Sequence, residues 1–306
     1  MVLVALVGLA FVVLLGLRRE RQSVAGRGWP VNLAHRGASA HAPENTMEAF
    51  RLAVETGAGG LELDVHLSRD GHFVVIHDPT LDRTTDGTGA VARMTLDELR
   101  GLDAGYNFSP DGGETLPYRG LNLCIPTLAE VLREFPGVAV NIDMKADVPG
   151  IEAALLKVLG EADAEERVLV VSSRYRAVRR FRRISGGRVS TGSSRLEVGV
   201  FFLFSNLRLE RLLRLAFDAL QVPIRHRGIP LVTRRFVQAA HNSNVRVDAW
   251  TINEAGEMRR LLDLGVDAIM TDQPETLADV LKRRAQGTAS HKPSAVSDQQ
   301  EPKAKS

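Results

Sequence analysis

Across residues 60–67 (GLELDVHL) polar and apolar side chains alternate, with Glu62, Asp64 and His66 on one face and Leu61, Leu63 and Val65 on the other. The pattern predicts a strand carrying two acids on one side. A Ser-Arg-Asp-Gly turn at 68–71 leads to a short β-rich run at 73–76, which ends in His77-Asp78-Pro79. Further strands are predicted at 31–34, 138–142, 167–171, 188–190, 218–222, 245–250 and 267–270. Helices are predicted between them at 150–162, 174–184, 195–215, 233–243, 254–264 and 275–284. Met47, Phe50 and Val54 give one apolar helical face, and Asn45 with Glu48 has the spacing of a capping box. Leu128, Val131, Leu132 and Phe135 repeat the helical spacing. Residues 80–125 break the rhythm with Gly, Asp, Thr and Pro around a short helix near 95–102, so they are predicted to form an insertion.

About eight strand and helix units in alternation favour a closed (β/α)8 TIM barrel, of the α/β class, over an open sheet. His35, Glu62, Asp64, His77, Asp143, Lys145, Gln221, Trp250 and Asp272 then fall at or just past strand ends, the face where such barrels carry their chemistry. Carboxylates aligned on one strand repel and lose solvation on burial, so either a cation or a network of donors compensates them or the strand is a half-exposed edge.

The first 17 residues, MVLVALVGLAFVVLLGL, contain no charge. As a helix they would reach about 25 Å, close to a hydrocarbon core, and are predicted to be a transmembrane helix before a linker at 18–30. Arg18, Arg19, Arg21 and Arg27 follow the apolar run, which predicts the body of the protein on the cytoplasmic side of a single-pass cell-membrane protein. The barrel spans 31–284, and the polar stretch 285–306 is predicted to be disordered. A formal charge of +2 gives no overall basis for nucleic-acid binding, and the single Cys124 excludes an intrachain disulfide. The run VGVFFLF at 198–204, followed by Arg208, Arg211 and Arg214 among leucines, reads as a barrel helix with outward arginines or as a membrane-seated lip. Arg225-His226-Arg227 is either solvated loop charge or a receiver for an anionic headgroup.

His35-Arg36-Gly37, Pro43-Glu44-Asn45-Thr46, Glu62-Leu63-Asp64, His77-Asp78, Asp143-Met144-Lys145, Trp250-Thr251-Ile252-Asn253 and Thr271-Asp272 occur in that order. Through them the chain resembles the glycerophosphodiester phosphodiesterases over about residues 30–284. A membrane helix before the domain is similar to the subgroup acting on lysophospholipids. The resemblance implies metal-dependent hydrolysis of glycerophosphodiesters to glycerol 3-phosphate and an alcohol, or of lysophospholipids to lysophosphatidic acid. It implies His35 and His77 as the acid and base pair, with Glu62, Asp64 and Asp143 holding the metal. The family usually has glutamate where this chain has Asp143, one methylene shorter.

Phosphodiester hydrolysis needs charge neutralisation at phosphorus, a proton acceptor and a proton donor. Oxygen ligands suit one hard divalent cation, Mg2+ or Ca2+. Arg36 and Lys145 can meet phosphate oxygens, Trp250 can stack on the glycerol or headgroup, and Glu44 and Asn45 either contact substrate or cap the first helix. Two other readings stand beside this one: a barrel enzyme using Lys145 as a Schiff-base amine, and a catalytically inactive membrane-bound lipid scaffold.

Overall fold

The computed structural model describes residues 28–289. Eight parallel strands form the barrel: β1 (Asn32–His35), β2 (Gly60–Leu67), β4 (Ala139–Met144), β5 (Val168–Val171), β6 (Ser190–Thr191), β7 (Ala219–Pro223), β10 (Arg246–Trp250) and β11 (Ala268–Thr271). β1 sits between β2 and β11, and a parallel bridge from Gly192 to Ala219 joins the two remaining edges. β3 (Phe73–Val75) runs antiparallel to β2 outside this circuit. A two-stranded hairpin, β8 (Arg225–His226) and β9 (Ile229–Pro230), follows β7.

The helices are α1 (Met47–Glu55), α2 (Leu96–Arg100), α3 (Leu128–Glu134), α4 (Ile151–Glu161), α5 (Tyr175–Ser185), α6 (Arg195–Asn206), α7 (Arg234–Asn242), α8 (Ala255–Leu264) and α9 (Pro274–Ala289). Strand residues alternate between two environments. Leu61, Leu63, Val65, Val140 and Ile142 pack outward with Phe50, Leu128 and Leu155, while Leu220, Val222, Val247 and Ala249 pack with Phe201, Phe236 and Leu261. The intervening residues point into the barrel. At mid-height they form a polar chain: Gln221 Nε2 donates to Asn141 Oδ1 at 2.9 Å and to Asp248 Oδ2 at 3.1 Å, and Arg246 Nε donates to Asp248 Oδ1 at 2.7 Å. Trp29, just before β1, packs on Leu169, Val171 and Ala219, with the Arg246 guanidinium 5.6 Å from its ring centre.

Several expectations change. Glu62 and Asp64 are 5% and 1% exposed on a strand flanked by β1 and β4, so β2 is no half-exposed edge. Thr46, not Asn45, caps α1 by accepting from Ala49 N–H, because Asn45 sits in the left-handed region at φ 59° and turns its amide elsewhere. The helix expected over 195–215 stops at Asn206. Arg208 adopts φ 60°, a 3-10 turn follows at Glu210–Leu212, and Glu210 turns inward to pair with Arg235 at 2.6 Å. Within VGVFFLF, Phe201 is fully buried and Val200 nearly so, while Val198, Phe202 and Phe204 are half-buried against the same core. α9 continues through 285–289, a stretch expected to be disordered. The expected transmembrane helix at 1–17, most of the linker at 18–30 and the remaining tail lie outside the described residues. Among the described residues no helix is long and apolar enough to cross a membrane.

The insertion has its own small core, in which Leu81, Val91, Leu99 and Ile125 pack against Val74 and Ile76 from β3 and its end. Thr95 and Glu98 form a capping box that starts α2. The insertion is therefore a folded cap beside the carboxyl ends of β2 and β3.

Candidate active site

β1 delivers His35 and Arg36, and the sharp turn after it depends on Gly37. That residue has φ 88°, and a Cβ there would lie 2.6 Å from the Ala49 side chain and 2.7 Å from its backbone carbon. Arg36, at φ 57°, donates its backbone N–H to the Glu62 carboxylate at 3.1 Å. Its guanidinium reaches Glu44 at 3.0 Å and lies 3.2 Å from Asp64 through Nε. That last contact is ionic, since Nε is not aligned as a hydrogen bond to any partner.

Asp64 and Asp143 are register partners on β2 and β4. Lys145 Nζ bridges them, 2.9 Å from Asp64 Oδ1 and 2.6 Å from Asp143 Oδ2. Asn45 donates to Asp64 Oδ2 at 3.0 Å and accepts from the Asp64 N–H at 3.3 Å. It orients an acid; it does not cap a helix. Burial would raise Asp64, but the Lys145 and Arg36 charges and the Asn45 amide outweigh it and hold the carboxyl below its ordinary range. Glu62 lacks that protection: burial and then the Asp64 charge push it up to about 7. Burial raises Asp143 too. Burial works against the Lys145 charge, yet Asp143 and Asp64 prevail and raise its pKa. An amine so firmly protonated is a poor Schiff-base nucleophile, which counts against the aldolase-like reading.

Each imidazole rests on its own carboxylate. His35 donates through Nδ1 to Asp272 Oδ1 at 2.7 Å. Asp272 is held in turn by Ser39 Oγ at 2.9 Å and Asn253 Nδ2 at 2.7 Å. Burial lowers the His35 pKa, but the Asp272 hydrogen bond and the Glu62 charge more than offset it, so the net shift is upward. His77 donates through Nδ1 to Asp78 Oδ1 at 2.6 Å. In both rings Nε2 is left for chemistry. His35 is close enough for its charge to act on Glu62, and His77 for its charge to act on Asp143. His66, excluded from the site on sequence, donates Nε2–H to the His77 carbonyl at 3.1 Å and so supports the loop that carries His77.

Arg83, from the insertion, had no sequence signal. It donates two bonds to Glu44, at 2.8 and 2.7 Å, and a third to Asp78 at 2.6 Å. Asp78 is accordingly depressed to about 2, first by the Arg83 hydrogen bond. Both oxygens of Glu44 are taken by Arg83 and Arg36, so Glu44 braces two cations and does not face the substrate as an unpaired acid. Trp250 stands 41% exposed at the end of β10, paired in register with Pro223. Asp272 was placed at a strand end on sequence, and Asp78 and Asn253 stood in the motifs, but none was given a role; Ser39 was not singled out.

The sequence profile of the glycerophosphoryl diester phosphodiesterase family matches residues 35–276, most of the chain. The chain belongs to this family. It is 37% identical over 259 residues to a glycerophosphodiester phosphodiesterase of Caldanaerobacter subterraneus, covering 82% of this chain and 97% of that protein. It is 34% identical over 264 residues to a probable glycerophosphodiester phosphodiesterase 2 of Mycobacterium tuberculosis, covering 85% and 93%. Among solved structures, an Oleispira antarctica phosphodiesterase in complex with the product sn-glycerol-3-phosphate aligns at TM-score 0.66 and 29% identity, covering 84% of this chain and 99% of that one. A glycerophosphoryl diester phosphodiesterase domain from M. tuberculosis shares the fold at TM-score 0.70 and 24% identity, covering 83% and 99%. The matched span, residues 35–276, includes the strand-end residues from His35 to Asp272 that build the cluster described above.

Proposed function

We propose that this family member hydrolyses glycerophosphodiesters to glycerol 3-phosphate and an alcohol, with His35 and His77 sharing the acid and base work. The supporting observation is the pair of imidazoles, each anchored through Nδ1 by a carboxylate, beside a buried acid trio and two cations. Arg36 and Lys145 would receive the phosphate oxygens, the first as a fork and the second as a point charge. One imidazole would take a proton through Nε2 and the other would give one to the departing alkoxide. Asp272 and Asp78 keep both rings in the tautomer this requires.

Glu62, Asp64 and Asp143 are the residues that would hold a divalent cation, Mg2+ or Ca2+. Among the described residues no three His, Cys, Asp or Glu side chains stand ready as a metal cage. Lys145 instead fills the gap between Asp64 and Asp143. The donor set nevertheless fits an oxygen-preferring ion, since Glu62 is buried, repelled by Asp64 and served by one backbone N–H. Binding would require Lys145 to leave one carboxylate, which would release it toward the phosphate. When bound, the ion supplies charge neutralisation at the phosphoryl oxygens.

Lysophospholipids offer the same bond with a longer glycerol substituent, and the exposed rim at Trp250 supports their inclusion as a second substrate class, with the apolar run at 1–17 supporting a site at the cytoplasmic face of the cell membrane. The test is product analysis by mass spectrometry on a panel of glycerophosphodiesters and lysolipids, after EDTA treatment and then with Mg2+ or Ca2+ restored. Glycerol 3-phosphate appearing only with a cation supports the reading. Equal turnover in EDTA removes the cation from it, and no turnover of any substrate contradicts the whole.

A further inference from the structure

The stretch from the end of α6 to the start of α7 differs from the rest of the surface. Leu207, Leu209 and Leu212 are 58%, 42% and 60% exposed, and Arg208, Arg211 and Arg214 lie exposed among them. Further along, the β8–β9 hairpin presents Arg225, His226 and Arg227, with Ile229 at 55% exposure. Only two acids occur between residues 206 and 235, and both are buried: Glu210 and Asp218. Every exposed charge in this stretch that does not depend on pH is therefore positive.

The two parts are tied together by Arg235, the second residue of α7. Its guanidinium donates to the Ser205 carbonyl at 3.0 Å and to Glu210 at 2.6 Å, which fixes the leucine and arginine turn beside the first turn of α7. The hairpin enters that same first turn, since Leu231 and Val232 bond back to the Ile224 carbonyl just before Thr233 caps the helix. β7 feeds the hairpin one residue after Pro223, the register partner of Trp250 at the barrel rim. Exposed branched alkyl chains and exposed arginines thus occur both on the turn that leads into the amino end of β7 and on the hairpin that leaves its carboxyl end, with Arg235 linking the turn to the start of α7.

We propose that this surface docks on the face of an anionic phospholipid bilayer. Alkyl side chains gain by entering the headgroup boundary, and arginines gain from anionic lipid. A nucleic acid would want aromatic platforms, and the one Phe, Tyr or Trp between residues 206 and 235, Phe217, is buried. A second copy of the same surface would set arginine against arginine. The docking surface comes from segments the catalytic cluster does not use, so it stands or falls apart from the reaction.

The test uses the full chain in a Cys124→Ser background, carrying a bimane label at Leu212→Cys or, as a control, at Lys157→Cys on α4. Quenching by bromolipids is measured in phosphatidylcholine vesicles with and without phosphatidylglycerol. The label at 212 is expected to be quenched strongly in the anionic vesicles and weakly in the neutral ones, while the label at 157 responds little to either. Arg211→Gln and Arg214→Gln should each lower the docked fraction about fivefold relative to the undocked one. Equal quenching at 212 and 157, or no dependence on anionic lipid, overturns the proposal. So does a label at 212 that responds to an oligonucleotide or to protein concentration alone and not to vesicles.

Discussion

At the scale of single residues, the site works by giving each titrating group a fixed partner. Asp272 shows this most directly, because it raises His35 against the effect of burial. Asp272→Asn should lower kcat/KM by about 100-fold or more. It should also move the pH limb that reports loss of the His35 proton to lower pH, because the protonated imidazole loses its acceptor. A rate loss with an unmoved limb would assign Asp272 to folding alone. Glu62 is shifted in the same direction for a different reason, since burial and the Asp64 charge disfavour its ionised form. Its folded pKa of about 7 lies above the ordinary 4.5, so its contribution to stability is complete below pH 4.5 and is lost as pH rises through 7. Without divalent cation, Glu62→Gln should be the more stable protein at about pH 8, by about 3 kcal/mol, and should match the parent near pH 4. A cation that binds the trio should raise the melting temperature of the parent at pH 8 and do much less for Glu62→Gln. Differential scanning fluorimetry across pH, with and without Mg2+, reads both effects.

At the scale of elements, much was legible because strand alternation and helical spacing are local signals. β2, with its acids on one face, follows directly from the order of residues at 60–67. What was not legible arose from contacts between distant segments. Asn45 has the spacing of a cap, but Asp64 on the next strand competes for its amide and wins, leaving Thr46 to cap α1. The apolar spacing over 195–215 says helix to the end, but the buried pairing of Glu210 with Arg235 requires a turn there. Arg83 lies in a polar, irregular stretch where nothing marks one arginine above another, yet it is the link between the insertion and both Glu44 and Asp78. Arg83→Gln should therefore lower kcat by at least about tenfold through loosened placement of His77. It should cost under about 1 kcal/mol in stability, because the side chain is 48% exposed. Unfolding midpoints and turnover on a water-soluble substrate separate the two effects. Phe201→Ala in α6 gives the reverse outcome. It empties a fully buried site and should cost about 3–5 kcal/mol, with turnover retained in the fraction that stays folded.

At the scale of the whole molecule, the barrel explains why motifs scattered from His35 to Asp272 form one cluster. Eight strands end on a common rim, and β1, β2, β4 and β11 lie side by side along it, bringing His35, Glu62, Asp64, Asp143 and Asp272 together. His77 joins them from the loop after β3, held under the insertion by Asp78 and Arg83. The identity of the proposed cation lay beyond the sequence, because carboxylate identity fixes hardness and leaves cavity size open. So did the part played by Lys145, which needed the pairing of β2 with β4 to show it between two acids.

The most direct measurement is turnover of glycerophosphocholine in water enriched with heavy oxygen. We expect one heavy oxygen on the phosphate of glycerol 3-phosphate and none in choline, with the signal lost in His35→Ala and in His77→Ala. Heavy oxygen in choline, or turnover that survives loss of both imidazoles, would contradict the account.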